Sequence, residues 1–443
     1  METIEKMTHG FFNSVGFKLG IIVMLTLLLL IPAGMIMGLI REREQRRDET
    51  IEAVTSVWGN EQTICGPVLT IPFRQMEKSG EKDYRTKLWH ARFLPEELLI
   101  EGTVEPEVRY RGIYRVVTYR AKLHVTGRFT GIGLPVPGIP PDARAEAKAR
   151  IEIGIPDMRG INQDIMLHWG DSLVQVIPGI PGNKIAGSGV HGEVPVSFNS
   201  AGSFSFDIDI NGSHALNFIP LGKNTTVRLT SSWNAPSFTG AFLPDDREIT
   251  RTGFTAIWNI LQLNRNFPQQ WIDDQYEVNE SSFGVELITP VDTYQKSERS
   301  VKYAVMFIGL TFLIFFFSEI FTRIRIHPVN YLLVGLALCL FYSLLTALAE
   351  HLPFALAYLA GSLVIIFLTG SFAHSLYLKW QVTATVSAAL LALYAFLYVI
   401  LQLMDYSLLF GNIGLVIILG LVMYFSRKID WYSPVKGKKE IVP

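Results

Sequence analysis

Six stretches of this 443-residue chain approach the apolar length a helix needs to cross a bilayer, about 20 residues. They fall near 18–40, 303–321, 329–349, 353–372, 380–403 and 407–425. One stands alone near the start, five crowd the last third, and residues 41–302 lie between. Inside hydrocarbon every backbone N–H and C=O needs an internal partner, so each stretch is predicted to be a helix. The pattern predicts an α-helical membrane protein of six spans, with a large domain inserted between spans 1 and 2. The first stretch is too long for a signal-peptide core and no Ala-x-Ala site follows it, so it reads as an uncleaved anchor.

Loop charge sets the orientation. Spans 2 and 3 are joined by TRIRIHP, with Arg323, Arg325 and His327, and spans 4 and 5 by AHSLYLKW, with Lys379. Five basic residues follow the last span in SRKIDWYSPVKGKKE. The alternate loops hold Glu350 with His351, and Asp405, without Lys or Arg. Short loops rich in Lys and Arg stay in the cytoplasm. Segment 1–17, with Lys6, and the tail 426–443 are therefore expected in the cytoplasm, and 41–302 in the periplasm.

That orientation puts Arg41, Arg43, Arg46 and Arg47 on the outer flank of span 1, against the local rule. The run is mixed, since Glu42, Glu44, Asp48 and Glu49 offset it. Glu42 and Arg46 stand at i,i+4, and Glu44 and Arg47 at i,i+3, where helical side chains meet. Ile51, Val54 and Trp58 then form a stripe at i, i+3, i+7. The first span is expected to continue as a helical stalk over 41–58, ended by Gly59. Two readings of the arginines stand: a solvated, self-paired stalk, or contact with anionic headgroups of the outer leaflet.

Past Gly59 the texture becomes β. GPVLTIPF (66–73), RGIYRVVTYRAKLHVTGRF (111–129), ARIEIGI (149–155) and TVRLTSSW (226–233) read as strands. In 203–222, Phe204, Phe206, Ile208 and Ile210 share one face, and Ser203, Ser205, Asp207 and Asp209 the other, as in a half-buried antiparallel sheet. Asn211-Gly212 has the composition of a two-residue hairpin turn. A mostly β domain is expected, with one helix around GFTAIWNILQLN (253–264) and a surface loop over the Pro-rich 131–143. Residues 41–300 carry 28 Lys and Arg against 33 Asp and Glu, which excludes the basic footprint of a nucleic-acid binder. The only cysteines, Cys65 and Cys339, fall in different parts of the chain and form no intramolecular disulfide.

Motifs for chemistry are sparse. No nucleophile elbow, Walker loop, H-E-x-x-H or dinucleotide fingerprint occurs. Asp207 and Asp209 share a strand face, but alternating polar residues on a solvated face explain them better than acid–base or metal chemistry. His168, His191 and His214 lack ligand spacing. Neither a cofactor nor a metal is implied. Ionisable residues within spans are the default functional candidates. Glu319, His327, Glu350, His351, His374 and Asp405 all lie near span ends, which favours interfacial anchoring over ion transfer. Ser362 with His351 or His374 lacks the sequence surroundings of an intramembrane serine protease. Gly34-x-x-x-Gly38 is a close-packing motif, expected to dock span 1 against the other five, with Pro32 kinking the helix.

Several of these stretches also resemble one family. Arg41-Glu42-Arg43, Arg46-Arg47, Trp58-Gly59, Gln62-Thr63 and the Gly66-Pro67-Val68-Leu69-x-Ile71-Pro72 run are similar to the CreD family of bacterial inner-membrane proteins. ALAEHLPFALAYL (347–359) looks like that family's conserved segment at Glu350, His351, Phe354, Ala357 and Tyr358, with Ala349 where a Ser is usual. FLIFFFSEIF (312–321) fits its Phe-rich second span ending in Glu319. The resemblance implies one N-terminal span, a large periplasmic domain and a C-terminal cluster of spans. It also implies a role in envelope integrity and stress, colicin tolerance and responses to β-lactams, and it brings no catalytic residues. The leading expectation is a non-enzymatic envelope protein whose β domain binds a periplasmic protein, a lipid or a cell-wall component. The competing classes are a transporter or lipid-handling protein with a cavity among the C-terminal spans, and an enzyme with an unrecognised site.

Overall fold

A computed structural model describes residues 15–78, 84–131, 144–145, 149–181, 187–195, 201–288, 293–403 and 406–427. Lys6, most of the Pro-rich 131–143, Asp405 and the tail from 428 lie outside the described residues. The chain forms two compact units, Met1–Arg47 with Val291–Pro443, and Asp48–Pro290.

In the first, helical unit, α1 (Val15–Leu28) and α2 (Leu30–Trp58) follow one another, then α3 (Thr293–Lys302), α4 (Ala304–Thr322), α5 (Pro328–Ala349), α6 (Phe354–Tyr377), α7 (Trp380–Gln402) and α8 (Ser407–Ser426). The six apolar segments are long enough to span a bilayer, with α1 and α2 together making the first. Pro32 has no N–H to give the Leu28 carbonyl, and the helix is interrupted at Leu29. The bonds on either side, Leu29 N to Leu25 O (3.0 Å) and Ala33 N to Leu29 O (3.2 Å), hold the direction. The helix then runs on through the arginines to Trp58, as the i,i+4 pairing predicts.

The expected docking role of Gly34 and Gly38 is not what the fold uses. Both are exposed, and a Cβ added to either meets nothing within 4 Å. The buried stripe of the first span is instead Leu25, Leu29 and Ala33. The small residue sits on the opposite helix: a Cβ at Gly335 would lie 2.1 Å from Leu29 Cδ1. One turn on, Cys339 Sγ lies 3.8 Å from the Leu29 carbonyl oxygen.

Helix α3 also departs from expectation, since the sequence predicts a β-rich insert that runs to residue 302. Tyr294, Ser297, Ser300 and Val301 are buried on one face, and charged residues fill the rest, so a short amphipathic helix precedes span 2. His327 caps α5: its Nδ1 accepts from the Val329 N–H at 3.3 Å, with Pro328 at the first helical position.

The β unit carries β1 (Gln62–Lys78), β2 (Tyr84–Phe93), β3 (Glu97–Arg111), β4 (Tyr114–Phe129), β5 (Arg144–Ala145), β6 (Ala149–Gly154), β7 (Met166–Trp169), β8 (Ser172–Gln175) and β9 (Ile177–Pro178). It continues with β10 (Gly189–Val194), β11 (Gly202–Ser213), β12 (Ala215–Phe218), β13 (Asn224–Ser231), β14 (Pro236–Gly240), β15 (Asp246–Thr250), β16 (Gly253–Leu261), β17 (Gln270–Ile272) and β18 (Phe283–Leu287). One sheet runs β15-β16-β13-β3-β4-β11-β7-β8. The other follows β14-β18-β12-β1-β6-β10-β9, with β2, β5 and β17 branching from it. Their apolar faces share one core, in which Trp258 of the first sheet meets Phe283 of the second at 5.6 Å between ring centroids.

Two local expectations fail here for one reason: strand pairing outweighs local preference. Residues 253–261 form strand β16, not a helix, because Phe254, Ala256, Trp258 and Ile260 alternate into the core while the chain pairs with β13 and β15. Asn211-Gly212 is no hairpin turn; it stays in β11, opposite Arg120 and Tyr119 of β4. The chain changes sheet at His214, which adopts a left-handed φ of 59°. Gly212 serves packing instead, since a Cβ there would fall 2.3 Å from Tyr119 Oη. That hydroxyl is buried and donates to the Ala215 carbonyl (2.7 Å), tying β4 to β12. Gly212→Val should therefore lower the stability of the purified full-length protein by about 1–3 kcal/mol, read as a fall in Tm. An unchanged Tm would refute the packing role.

Candidate functional site

The predicted site residues separate into two charged nodes in the helical unit and one junction in the β unit. At the first node, Glu319 on α4 is buried, as are Phe312, Phe315 and Phe316 earlier on the same helix. Its carboxylate pairs with the ammonium of Lys18 on α1 and accepts from Tyr331 Oη on α5 at 3.0 Å. A buried carboxylate needs such partners, because desolvation penalises it heavily. Charge and hydrogen bond together join the first span to two helices of the bundle.

At the second node, Glu350 closes α5 and accepts from Tyr294 Oη of α3 at 3.1 Å, with Arg43 Nε at 3.9 Å. Arg41 pairs with Glu298 of α3 (3.4 Å), which also meets Lys302 (3.5 Å). The Arg47 guanidinium lies 5.5 Å from the Tyr294 ring centroid. Within α2, Arg46 pairs with Glu42 (2.6 Å) and Arg47 with Glu44 (3.5 Å), at the predicted spacings. Most of the arginine run is thus matched to α3 and Glu350, and Arg46 to its own helix. His351 does not join Glu350; it is exposed, past the helix end. Ser362 Oγ donates to its own helix at Leu359 O (2.9 Å), and His374 Nδ1 lies 3.3 Å from Thr383 Oγ1, so neither contributes to a triad.

The third feature surrounds Trp58. Its Nε1 donates to the Tyr119 carbonyl (3.3 Å), and the Arg109 guanidinium stacks 3.5 Å from its ring centroid. Gly59 ends the helix at a φ of 140°, and a Cβ there would lie 2.6 Å from the Asn211 carbonyl oxygen. Gln62 Nε2 donates to the carbonyls of Asp157 (3.0 Å) and Asn211 (3.1 Å). Asp157 accepts from the Asn60 N–H (3.0 Å) and from Arg159, whose guanidinium holds its carboxyl below the usual range. Trp58, Gly59 and Gln62 fix the passage from helix to sheet.

The outward face of the β15–β8 sheet forms a concavity of about 710 Å³. Its charges are paired across neighbouring strands: Arg228 with Glu101 (3.1 Å), His124 with Asp207 (2.7 Å), Lys122 with Glu105 (3.1 Å). Asp209 takes two hydrogen bonds from Arg120 (2.7 and 2.6 Å) and one from Asn162 (2.9 Å). Arg120 first, and Asn162 after it, hold the Asp209 carboxyl below its ordinary range, so it stays ionised at neutral pH. Such a carboxylate cannot serve as a general acid. Among the described residues, no group of three or more His, Cys, Asp or Glu is placed to hold a metal ion.

The features so far define a class: a multi-pass helical membrane protein with a two-sheet β domain inserted after its first span. The chain belongs to the CreD family: the profile described as "Inner membrane protein CreD" matches residues 14–432. It is 33% identical over 426 residues to the inner membrane protein CreD of Escherichia coli K12, covering 94% of each chain. It is accordingly a multi-pass protein of the inner membrane. Among solved structures, a protein of Legionella pneumophila described as nutrient-binding aligns with a TM-score of 0.26 at 9% identity, over 48% of this chain and 74% of that one. The Legionella pneumophila aminopeptidase A aligns with a TM-score of 0.18 at 8% identity, over 50% and 23%. Neither alignment is close enough to bear on fold or function.

Lys18→Met should strand the Glu319 carboxylate and destabilise the protein in detergent by about 3–5 kcal/mol. Adding Glu319→Gln should restore most of that loss, because the buried charge is then gone. A double variant as unstable as the single one would show that the pair is not the link.

Proposed function

We propose that this chain is a non-enzymatic envelope-integrity protein whose β unit binds a cell-wall component from the periplasmic side. The single observation behind this reading is the concave outer face of the β15–β8 sheet. Its acceptors and donors are held in pairs by cross-strand partners, so the surface offers hydrogen bonds with little net field. Such a surface suits a polar, nearly neutral ligand, with a saccharide strand the best match among the envelope's polymers. It does not suit nucleic acid, which needs a positive stripe. The pairing of Asp209 with Arg120, and of Asp207 with His124, favours recognition over acid–base catalysis. Pairing of Glu319 with the Lys18 ammonium, and the hydrogen bond it accepts from Tyr331, favour anchoring over ion transfer in the helical unit. The family link to envelope stress and β-lactam response agrees with a wall ligand.

On this reading purified full-length protein co-sediments with peptidoglycan sacculi. Thr103→Trp, placed on the concave face beside Thr230 (3.4 Å between hydroxyls), should cut retention at least tenfold without moving Tm. Wild-type protein that stays in the supernatant would sink the proposal.

The orientation we propose has both termini in the cytoplasm and residues 41–302 in the periplasm, on the strength of the loop charges. Gln45 is exposed on α2, so Gln45→Cys should react with a membrane-impermeant maleimide added to intact spheroplasts. Labelling only after lysis would invert the orientation.

A further inference from the structure

The β3–β4 hairpin outruns both of its neighbours. On one side β13 stops at Ser231, opposite Val104, and on the other β11 stops at Ser213, opposite Thr118. From Val108 opposite Val117 to Arg111 opposite Tyr114 the two strands run on alone, and Gly112 and Ile113 close them. A two-stranded ribbon is marginal in water without something to pack against. The base of this arm has such a support, since the Arg109 guanidinium stacks 3.5 Å from the Trp58 ring centroid and pairs with Glu107 at 2.9 Å. The tip is open to solvent: Tyr110 is 63% exposed, Ile113 40% and Val108 37%.

Charge at the tip is one-sided. Glu107 is matched to Arg109, and among the described residues no carboxylate pairs with Arg111 or Arg115. Both arginines are exposed, and the Arg115 guanidinium lies 5.6 Å from the Tyr110 ring centroid. Tyrosine and arginine combine an apolar body with a polar end, which suits them to a membrane–water boundary.

The arm also starts in the right place. The stalk meets the β unit at its base: Trp58 Nε1 donates to the Tyr119 carbonyl, and Asp48, Ile51, Glu52 and Thr55 share a cleft with Ser213 and His214. Whatever its tilt, α2 keeps Trp58 within about 27 Å of Ile40, where the apolar stretch ends. The headgroup layer fills about 5–7 Å of that distance. From Tyr119 to Ile113 the strand spans about 20 Å, enough to cover the rest.

We propose that the tip of the β3–β4 arm, Tyr110 to Arg115, rests on an anionic lipid surface. Arg111 and Arg115 meet headgroup phosphates, and Tyr110 and Ile113 enter the boundary of the acyl region. The same charge disfavours a second copy of this chain as the occupant, because paired tips would bring four unmatched arginines together. The inference needs span 1 to cross a bilayer, but neither a particular orientation nor the wall ligand proposed above.

The test uses full-length protein with Ile113→Cys carrying an environment-sensitive NBD dye, reconstituted at one copy per nanodisc. Cys65 and Cys339 are buried, so the dye reports on position 113. In discs containing phosphatidylglycerol the emission should shift to the blue, and doxyl-labelled lipid should quench it. The same dye at Thr103→Cys, exposed on the concave sheet face, should show neither effect. Arg111→Gln combined with Arg115→Gln, or discs of phosphatidylcholine alone, should cut the quenching about twofold or more, since each arginine adds attraction to an anionic surface. An unchanged Tm checks that the arginine variant is folded. A dye at 113 that is no bluer and no more quenched than one at 103 would overturn the proposal. Equal quenching in neutral discs and in the arginine variant would overturn its anionic form. A blue shift found only in discs that hold two copies would assign the tip to a second copy, and the lipid contact would fall.

Discussion

A peptide group in hydrocarbon must find its hydrogen bond within the protein, and a lone segment can meet that demand only as a helix. The demand lapses past the apolar stretch, where water can satisfy open backbone. A sheet therefore becomes possible only in the insert, and the chain has to change period between the first span and β1. It does so within four residues. Trp58 gives its indole N–H to β4, Gly59 takes a φ of 140° against the Asn211 carbonyl, and Gln62 bridges two carbonyls as the strand begins. Asn211 precedes Gly212, on which Tyr119 rests, and Tyr119 supplies the carbonyl that Trp58 uses. The stretch from Trp58 to Gln62 is thus occupied with one structural task, which accounts for its residue types.

Features that repeat with a period were legible in the sequence. The spans show as apolar length, and β11 shows as alternation that the structure keeps from Phe204 to Ile210. Features decided by a distant partner were not. The window 253–264 places apolar residues at both helical and strand spacing, and only pairing with β13 and β15 decides between them. Gly34 and Gly38 announce a packing surface that nothing fills, while the contact that does form uses Gly335, 306 positions after Leu29. Helix α3 had a readable stripe in Tyr294, Ser297 and Val301, but the neighbouring β insert masked it.

The arginines show the same limit for charge. The positive-inside rule counts Lys and Arg near a span and ignores what they touch. Arg41 answers to Glu298, 257 positions away, and Arg43 to Glu350. A flank matched in this way presents far less free positive charge than its composition implies. The candidates divide accordingly. Glu319 and Glu350 each join helices from different parts of the chain, whereas His351, adjacent to Glu350, is exposed. Neighbours in sequence at a helix end need not share a role.

The two sheets of the β unit treat polar side chains in opposite ways. On the concave outward face of the β15–β8 sheet Arg228, His124, Lys122 and Arg120 each have a partner one strand away, and exposed pairs of this kind contribute little to stability. Their effect is to cancel the field and fix the donors in place. On the polar face beside β1, Arg92 is as buried as the core leucines yet has two unmatched nitrogens. Replacing a buried charged pair with apolar residues of similar volume is often neutral or stabilising. A guanidinium kept there with donors to spare works against the stability of the fold, and Thr70 beside it adds a further unmatched hydroxyl. The exposed ladder serves folding and solubility and, on the reading proposed above, also holds its donors in place for a ligand. The polar face beside β1 is not accounted for in this way: Arg92 gives one nitrogen to Asp274 and keeps two without a partner, on the face that also holds the buried carboxylate of Glu152.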